Sequence, residues 1–194
     1  MTSPLQPLRR FAAVAALLLM AAPPAQAATL PAFSLPALVA EAHTIAIGAV
    51  VANHSIWHAF PGLPRDLYTV TEIAVSDTLA GPTKSGELLF VMQKGGEDAG
   101  ISRTVAGTAR FEPGDRVLVF ARTDGGMHYL VGMAQGAFFF TRSAATSPRW
   151  VRPAAPHPLA APDGVPLASP AADIWLETAL VDAVRALLSL PRKP

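Results

Sequence analysis

Between Thr44 and Thr141 the hydrophobic positions come as short solid runs or strict alternations, the signature of strands and not of helices. Tyr68–Asp77 alternates cleanly. Tyr68, Val70, Glu72, Ala74 and Ser76 share one face, and Thr69, Thr71, Ile73, Val75 and Asp77 share the other, which predicts a long strand. Thr44–Val51 and Val117–Phe120 are apolar on both faces and predict strands covered on both sides. Gly86–Gln93 predicts another. Asp124-Gly125-Gly126 has hairpin chemistry and joins Val117–Phe120 to a return strand at His128–Val131. Pro113-Gly114 suits the two central positions of a type II turn, because proline presets φ and glycine accepts φ > 0. Gly132 and Gly136, ahead of Phe138-Phe139-Phe140, suit a bulge or sharp bend in a curled sheet.

Three stretches break this pattern. Ala52–Leu67 reads as a polar and aromatic connection, since Pro61-Gly62 and Pro64 demand a turn. Lys94–Gly100 reads as a glycine-rich polar loop, and Ile101–Ala109 as a short strand or irregular crossing. Residues 143–169 are dominated by Pro, Ala and Ser and read as an extended, flexible linker. Helical signals flank the strand region. A short helix is predicted from Ser34, with Pro36 in its first turn. A second is predicted over 170–190, capped by Ser169 with Pro170 at its first position. It carries Leu176, Leu180, Val184, Leu187 and Leu188 on one face, and its ends suit the macrodipole, with Asp173 and Glu177 near the start and Arg192 and Lys193 past the end. Asp182 and Arg185 argue against its spanning a membrane. Docking on the domain is the expected fate of its apolar face, a partner or a membrane surface the alternative.

Composition changes the picture chiefly at the N-terminus. Arg9-Arg10, the apolar run Phe11–Ala22 and Ala25-Gln26-Ala27 have the layout of a secretory signal over 1–27, which predicts an exported protein, periplasmic or secreted. Removing that segment takes away two arginines and no acid, so the formal charge passes from +1 to −1. A weakly acidic domain lacks the electrostatic footprint of nucleic-acid binding. With no cysteine there is no disulfide, thiol nucleophile or thiolate metal site. The organisation expected is therefore a signal at 1–27, a β domain at 28–142, a linker at 143–169 and a helix at 170–190.

A mainly β chain with short turns and little helix before Thr141 is expected to form a small OB-like β-barrel followed by the C-terminal amphipathic helix. The order of its features resembles the OB-fold module of the netrin and tissue-inhibitor-of-metalloproteinase type, in a cysteine-free form. The features are Thr44–Val51, a strand ending at Leu79-Ala80-Gly81, Phe111–Asp115 before the Val117–Phe120 run, Tyr129–Gly132, and Gln135-Gly136. The resemblance covers about Leu38 to Thr141. It implies an exported protein-binding module whose partner is another exported protein, with metalloproteases among the candidates. The inhibitors' own device, an N-terminal cysteine that chelates the protease zinc, has no counterpart in a chain without cysteine.

Candidate chemistry is sparse. Trp57 and Phe60, with Lys94, Gly95 and Gly96, are the binding residues nominated, because aromatic side chains and flexible glycine loops at strand ends make recognition surfaces. His54 and His58 share a face and nominate a zinc site if His43, His128, Glu72 or Asp66 converges on them, which would make a metal-binding or hydrolytic domain instead. A structural envelope protein tethered by its tail helix is the third reading. No serine lies in a G-x-S-x-G setting, and Glu97-Asp98 is a poor catalytic pair because neighbours on a strand face opposite ways. The expectation is a non-enzymatic protein with no cofactor.

Overall fold

The computed structural model describes residues 30–143, 146–153, 159–160, 166–167 and 173–191. The expected secretory signal at 1–27, the expected Ser169-Pro170 cap and Arg192-Lys193 lie outside them. Two long strands dominate, β1 (Thr44–His58) and β2 (Asp66–Ala80), antiparallel to one another from Ile45↔Ala80 to His58↔Asp66. Strands β3 (Leu88–Lys94), β4 (Arg116–Asp124) and β5 (Met127–Leu130) complete a closed ring. In it β1 pairs with β2, β2 with β3, β3 with β5 through one parallel bridge, β5 with β4, and β4 with β1.

The turns follow the local chemistry. Gly125 and Gly126, at φ 55° and 79°, form the two-residue hairpin between β4 and β5, a turn that needs positive φ at both positions. Glu112–Asp115 closes with Asp115 N–H donating to the Glu112 carbonyl at 3.0 Å, and Gly114 at φ 95° supplies the type II geometry. Gly132 and Gly136 do not mark a bulge. They bracket a single 3-10 turn, Met133–Gly136, entered through Gly132 at φ 62°.

The double-sided burial read from the solid apolar runs is present, and it has two owners. Inside the ring lie Ala46, Val50, Ile73, Val75, Leu89, Val91, Val117, Val119 and Leu130, closed at one end by Phe111 against Phe139. On the outer side of β1 and β4, Ile45, Ile47, Leu118 and Phe120 pack under two helices. The first is α1 (Leu35–Glu41), whose cap Ser34 accepts from the Ala37 N–H. The second is α2 (Glu177–Leu188), with Leu180 and Val184 fully buried. Complete burial of side chains of this size stabilises by about 1.5–3 kcal/mol each. The apolar face of α2 is thus covered by the domain and is not left free for tethering. No helix of the described residues is long and apolar enough to cross a membrane.

Three expectations are corrected. Ala52–His58 is not loop. It continues β1, paired residue for residue with β2, and the prolines confine the turn to Ala59–Arg65. The stretch from residue 143 is not simply a linker. Strand β6 (Ala137–Ser143) pairs with β7 (Thr146–Arg152), and Trp150 of β7 is fully buried. Pro148 is tolerated because the register shifts between Thr146 and Arg149, where a missing N–H breaks no regular ladder. Beyond β7, the short pieces Leu159–Ala160 and Pro166–Leu167 pair with one another, and the first also pairs with Leu30–Pro31. Last, the C-terminal helix begins at Glu177 and not at residue 170, because Asp173–Leu176 is strand β8, paired with β7 through Trp150↔Trp175 and Arg152↔Asp173. Leu176 therefore stands 60% exposed, outside the helix face assigned to it.

Candidate functional site

The two nominated stretches, far apart in sequence, meet below the ring. After β3 the chain folds into a short hairpin, Gly96–Asp98 with Ile101–Arg103, which lies across the inner side of the lower halves of β1 and β2. Ser55 Oγ accepts from the Glu97 N–H at 3.0 Å, and Trp57 Nε1 donates to Asp98 Oδ2 at 2.7 Å. Thr69 Oγ1 donates to the Gly95 carbonyl at 2.9 Å. Gly96 passes so close to Ser55 and Thr69 that a Cβ there would stand 2.8 Å from both hydroxyl oxygens. The Arg65 guanidinium sits over the Trp57 ring, 5.7 Å from its centroid.

Asp66 anchors the hairpin electrostatically. It is buried at the start of β2, with Lys94 Nζ 3.0 Å from Oδ2 and Arg103 Nη1 on Oδ1, which also accepts from the Leu67 N–H at 2.9 Å. The Lys94 hydrogen bond holds the Asp66 carboxyl below the ordinary carboxylate range. Burial opposes it, and the Leu67 N–H and the Arg103 and Lys94 charges support it.

Between hairpin and ring runs an open groove of about 680 Å³. Its floor is the inward face of the three lower strands, at Asn53, Ser55, Thr69, Thr71 and Gln93. These polar side chains are already bonded within the protein. Gln93 donates to and accepts from the backbone of Ala109, at 3.1 and 2.7 Å. Asn53 donates to the Phe111 carbonyl at 2.9 Å and accepts from Thr71 Oγ1 at 2.7 Å. They hold the crossing segment 104–111 under the ring as a strand's backbone would.

Trp57 thus lies against the hairpin at Asp98, half-exposed, while Lys94, Gly95 and Gly96 line the groove. Phe60 does not join them. It packs edge-on against His58 and Tyr68, with centroids at 4.5 and 5.5 Å, on the other face of the sheet. His54 and His58 lie four residues apart in one strand, hence about 13 Å apart along it, and cannot share one zinc, whose ligands stand about 2 Å away. Of the four residues named to complete that site, only Glu72 reaches either histidine, with Oε1 3.1 Å from His54 Nε2. His43 and His128 are at the opposite end of β1, where Thr123 contacts both: its N–H donates to His43 Nδ1 at 2.9 Å and its hydroxyl lies 3.1 Å from His128 Nδ1. Burial, and then the nearby His43, pushes the His128 pKa down. Among the described residues no three His, Cys, Asp or Glu side chains are placed to share a metal ion.

Sequence reasoning named Asp66 only as a possible zinc ligand and Asp98 only as half of a poor catalytic pair, and it passed over Arg103, because isolated charges carry no period. Thr69 and Thr71 did carry a signal, being polar residues on the face of an alternating strand whose other members, Ile73 and Val75, are core. Neither the protein-family profiles nor the curated characterised proteins contain a match to this sequence.

Proposed function

We propose that the chain is an exported, non-enzymatic binding module built on an OB-like barrel, and that its recognition surface lies at the lower end of the ring. The OB-like reading is supported by the ring order, first, second, third, fifth, fourth and back to first, with the third and fifth strands parallel. The observation that carries the binding reading is the Trp57–Asp98 contact. It pins a half-exposed indole and its Arg65 cation onto the glycine hairpin and so presents a large, low-entropy anchor of the kind that dominates interfaces. The partner class is another exported protein. The netrin and inhibitor resemblance nominates a metalloprotease first, and any inhibition would proceed without a cysteine ligand to zinc.

The test is capture of a partner from the native exported fraction by the wild-type chain and by a Trp57→Ala variant. The variant should lose capture by tenfold or more, in line with the roughly 2 kcal/mol of an interface anchor, with an unchanged circular dichroism spectrum. Equal capture by a folded variant refutes this surface.

A further inference from the structure

The lower half of β1 is a sheet edge with backbone to spare. Val50 still faces β4: its N–H donates to the Asp115 carbonyl at 2.8 Å, and its carbonyl accepts from the Gly114 N–H at 2.9 Å. Pairing on that side ends there, because β4 begins at Arg116, opposite Ala49. On the other side β2 continues to His58↔Asp66. The odd-numbered residues of β2 face β3, as the bonds of Leu67 to Gly95 and of Val75 to Gly86 and Glu87 show. Its even-numbered residues therefore face β1, where Asp66, Tyr68, Val70 and Glu72 meet His58, Ile56, His54 and Ala52. By alternation Asn53, Ser55 and Trp57 turn their N–H and C=O groups to the open side. Among the described residues no backbone or side-chain group pairs with them there.

We propose that this edge receives an extended segment of another polypeptide, which joins the sheet beside Asn53, Ser55 and Trp57 as an added strand. The inference rests on the binding-module reading and specifies its partner. Donors and acceptors repeating about every 6.8 Å along a line are matched by the backbone of a second extended chain. Residues 51–58 contain no lysine and no proline, two of the usual protections of a free strand, and the register shift between Val50 and Ala52 comes before the open stretch. Val51, at 51% exposure, and Trp57 flank it with apolar surface. The occupant is a slender segment and not a second folded copy, because Asn53 and Ser55 also form the floor of the groove walled by the hairpin and the crossing segment. Residues of the segment that face the groove meet hydroxyls and amides already bonded within the protein, so small side chains fit there. Residues of the other parity lie beside His54 and Ile56.

The test selects 12-residue peptides from a phage-displayed random library on the full chain, then titrates synthetic versions by calorimetry. Scanning N-methylation along an enriched peptide should weaken binding tenfold or more at alternate positions only. Ser55→Pro removes an N–H that the β1–β2 ladder does not use, and should weaken binding tenfold relative to Ser55→Ala, which loses the same hydroxyl. Should Ser55→Pro fail to fold, the N-methyl scan on the wild-type chain decides. No enriched peptide, no parity, or equal binding by a folded Ser55→Pro overturns the proposal. So does a wild-type dimer in sedimentation that Ser55→Pro dissociates, since the edge then belongs to a second copy. An exported partner whose capture needs Trp57 without strand parity keeps the binding module and rejects the edge. Parity-dependent peptides with no capturable exported partner keep the edge and reject that module reading.

Discussion

Trp150→Ala tests whether the proline-rich stretch after Thr141 is part of the folded domain. Trp150 is fully buried between β6 and the start of α2. Its ring meets Phe140 at 5.2 Å, the Arg116 guanidinium lies 5.3 Å from its centroid, and Nε1 donates to the Glu177 carbonyl at 3.1 Å. Removing a buried tryptophan costs about 3–5 kcal/mol in transfer and cavity terms. The cation–π contact contributes about 0.5–1 kcal/mol, and the Glu177 carbonyl loses its indole donor as well. An overall loss of about 4 kcal/mol is a large share of the 5–15 kcal/mol typical of a domain. With a urea m-value of about 1–3 kcal/mol/M, the midpoint should fall by more than 1 M. The assay is equilibrium urea unfolding followed by far-ultraviolet circular dichroism. A linker residue would cost less than about 0.5 kcal/mol. A shift that small refutes the packing described for β7, and with it the incorporation of α2 into the core.

Asp66→Asn should expose the Gly96–Arg103 hairpin to limited proteolysis and hydrogen exchange at neutral pH. The Asp66 pKa is depressed by folding, so its contribution is complete above the unfolded value of about 3.9 and is lost as pH falls through the lower folded value. The difference between wild type and variant should shrink below about pH 4, and a flat difference from pH 7 to 3 would count against it. His128, also depressed, should make the thermal midpoint fall as pH drops below about 6.5, with His128→Gln reducing that fall, and an identical pH slope in the variant would exclude this origin. Gly96→Ala places a Cβ 2.8 Å from the Ser55 and Thr69 hydroxyls at a φ of 145°, and should cost about 1–3 kcal/mol by urea unfolding.

What was legible in the sequence was whatever obeyed a short period or a local turn rule. The Tyr68–Asp77 alternation sorted inner from outer residues correctly, and the Pro113-Gly114 and Asp124-Gly125-Gly126 turns form where their φ requirements placed them. The solid runs at Thr44 and Val117 marked strands buried on both sides, as they are beneath α1 and α2. Composition misled where it averaged over a strand. Trp150-Val151-Arg152 is a β-forming run inside a proline- and alanine-rich background, and its partner strands at 137–143 and 173–176 supply the pairing no local rule reveals. The Asn53–His58 segment was obscured for a related reason. Its polar residues look like loop, yet Asn53 and Ser55 are polar because they hold the hairpin and crossing segment, contacts 40 to 60 residues away in the chain. Of the nominated site residues, Trp57 could be placed against Asp98 of the hairpin only once the hairpin's fold back across β1 was known, while Phe60 packs on His58 and Tyr68 on the other face.

The polar floor of the groove bears on what kind of binding this end of the ring can support. Gln93, Asn53, Thr69 and Ser55 already hold hydrogen bonds to the backbone of Ala109, Phe111, Gly95 and Glu97. A small polar ligand in the groove would have to compete with those bonds, each worth about 0.5–1.5 kcal/mol net, and displacing one would leave a partly buried partner unsatisfied. The open-edge backbone of Asn53, Ser55 and Trp57 carries no such debt, since it exchanges only water for a partner. The side chains that make this region look like a small-molecule pocket are therefore the ones that stiffen it. The backbone beside them is where new hydrogen bonds form at least cost, which favours a polypeptide partner over a small ligand at this site.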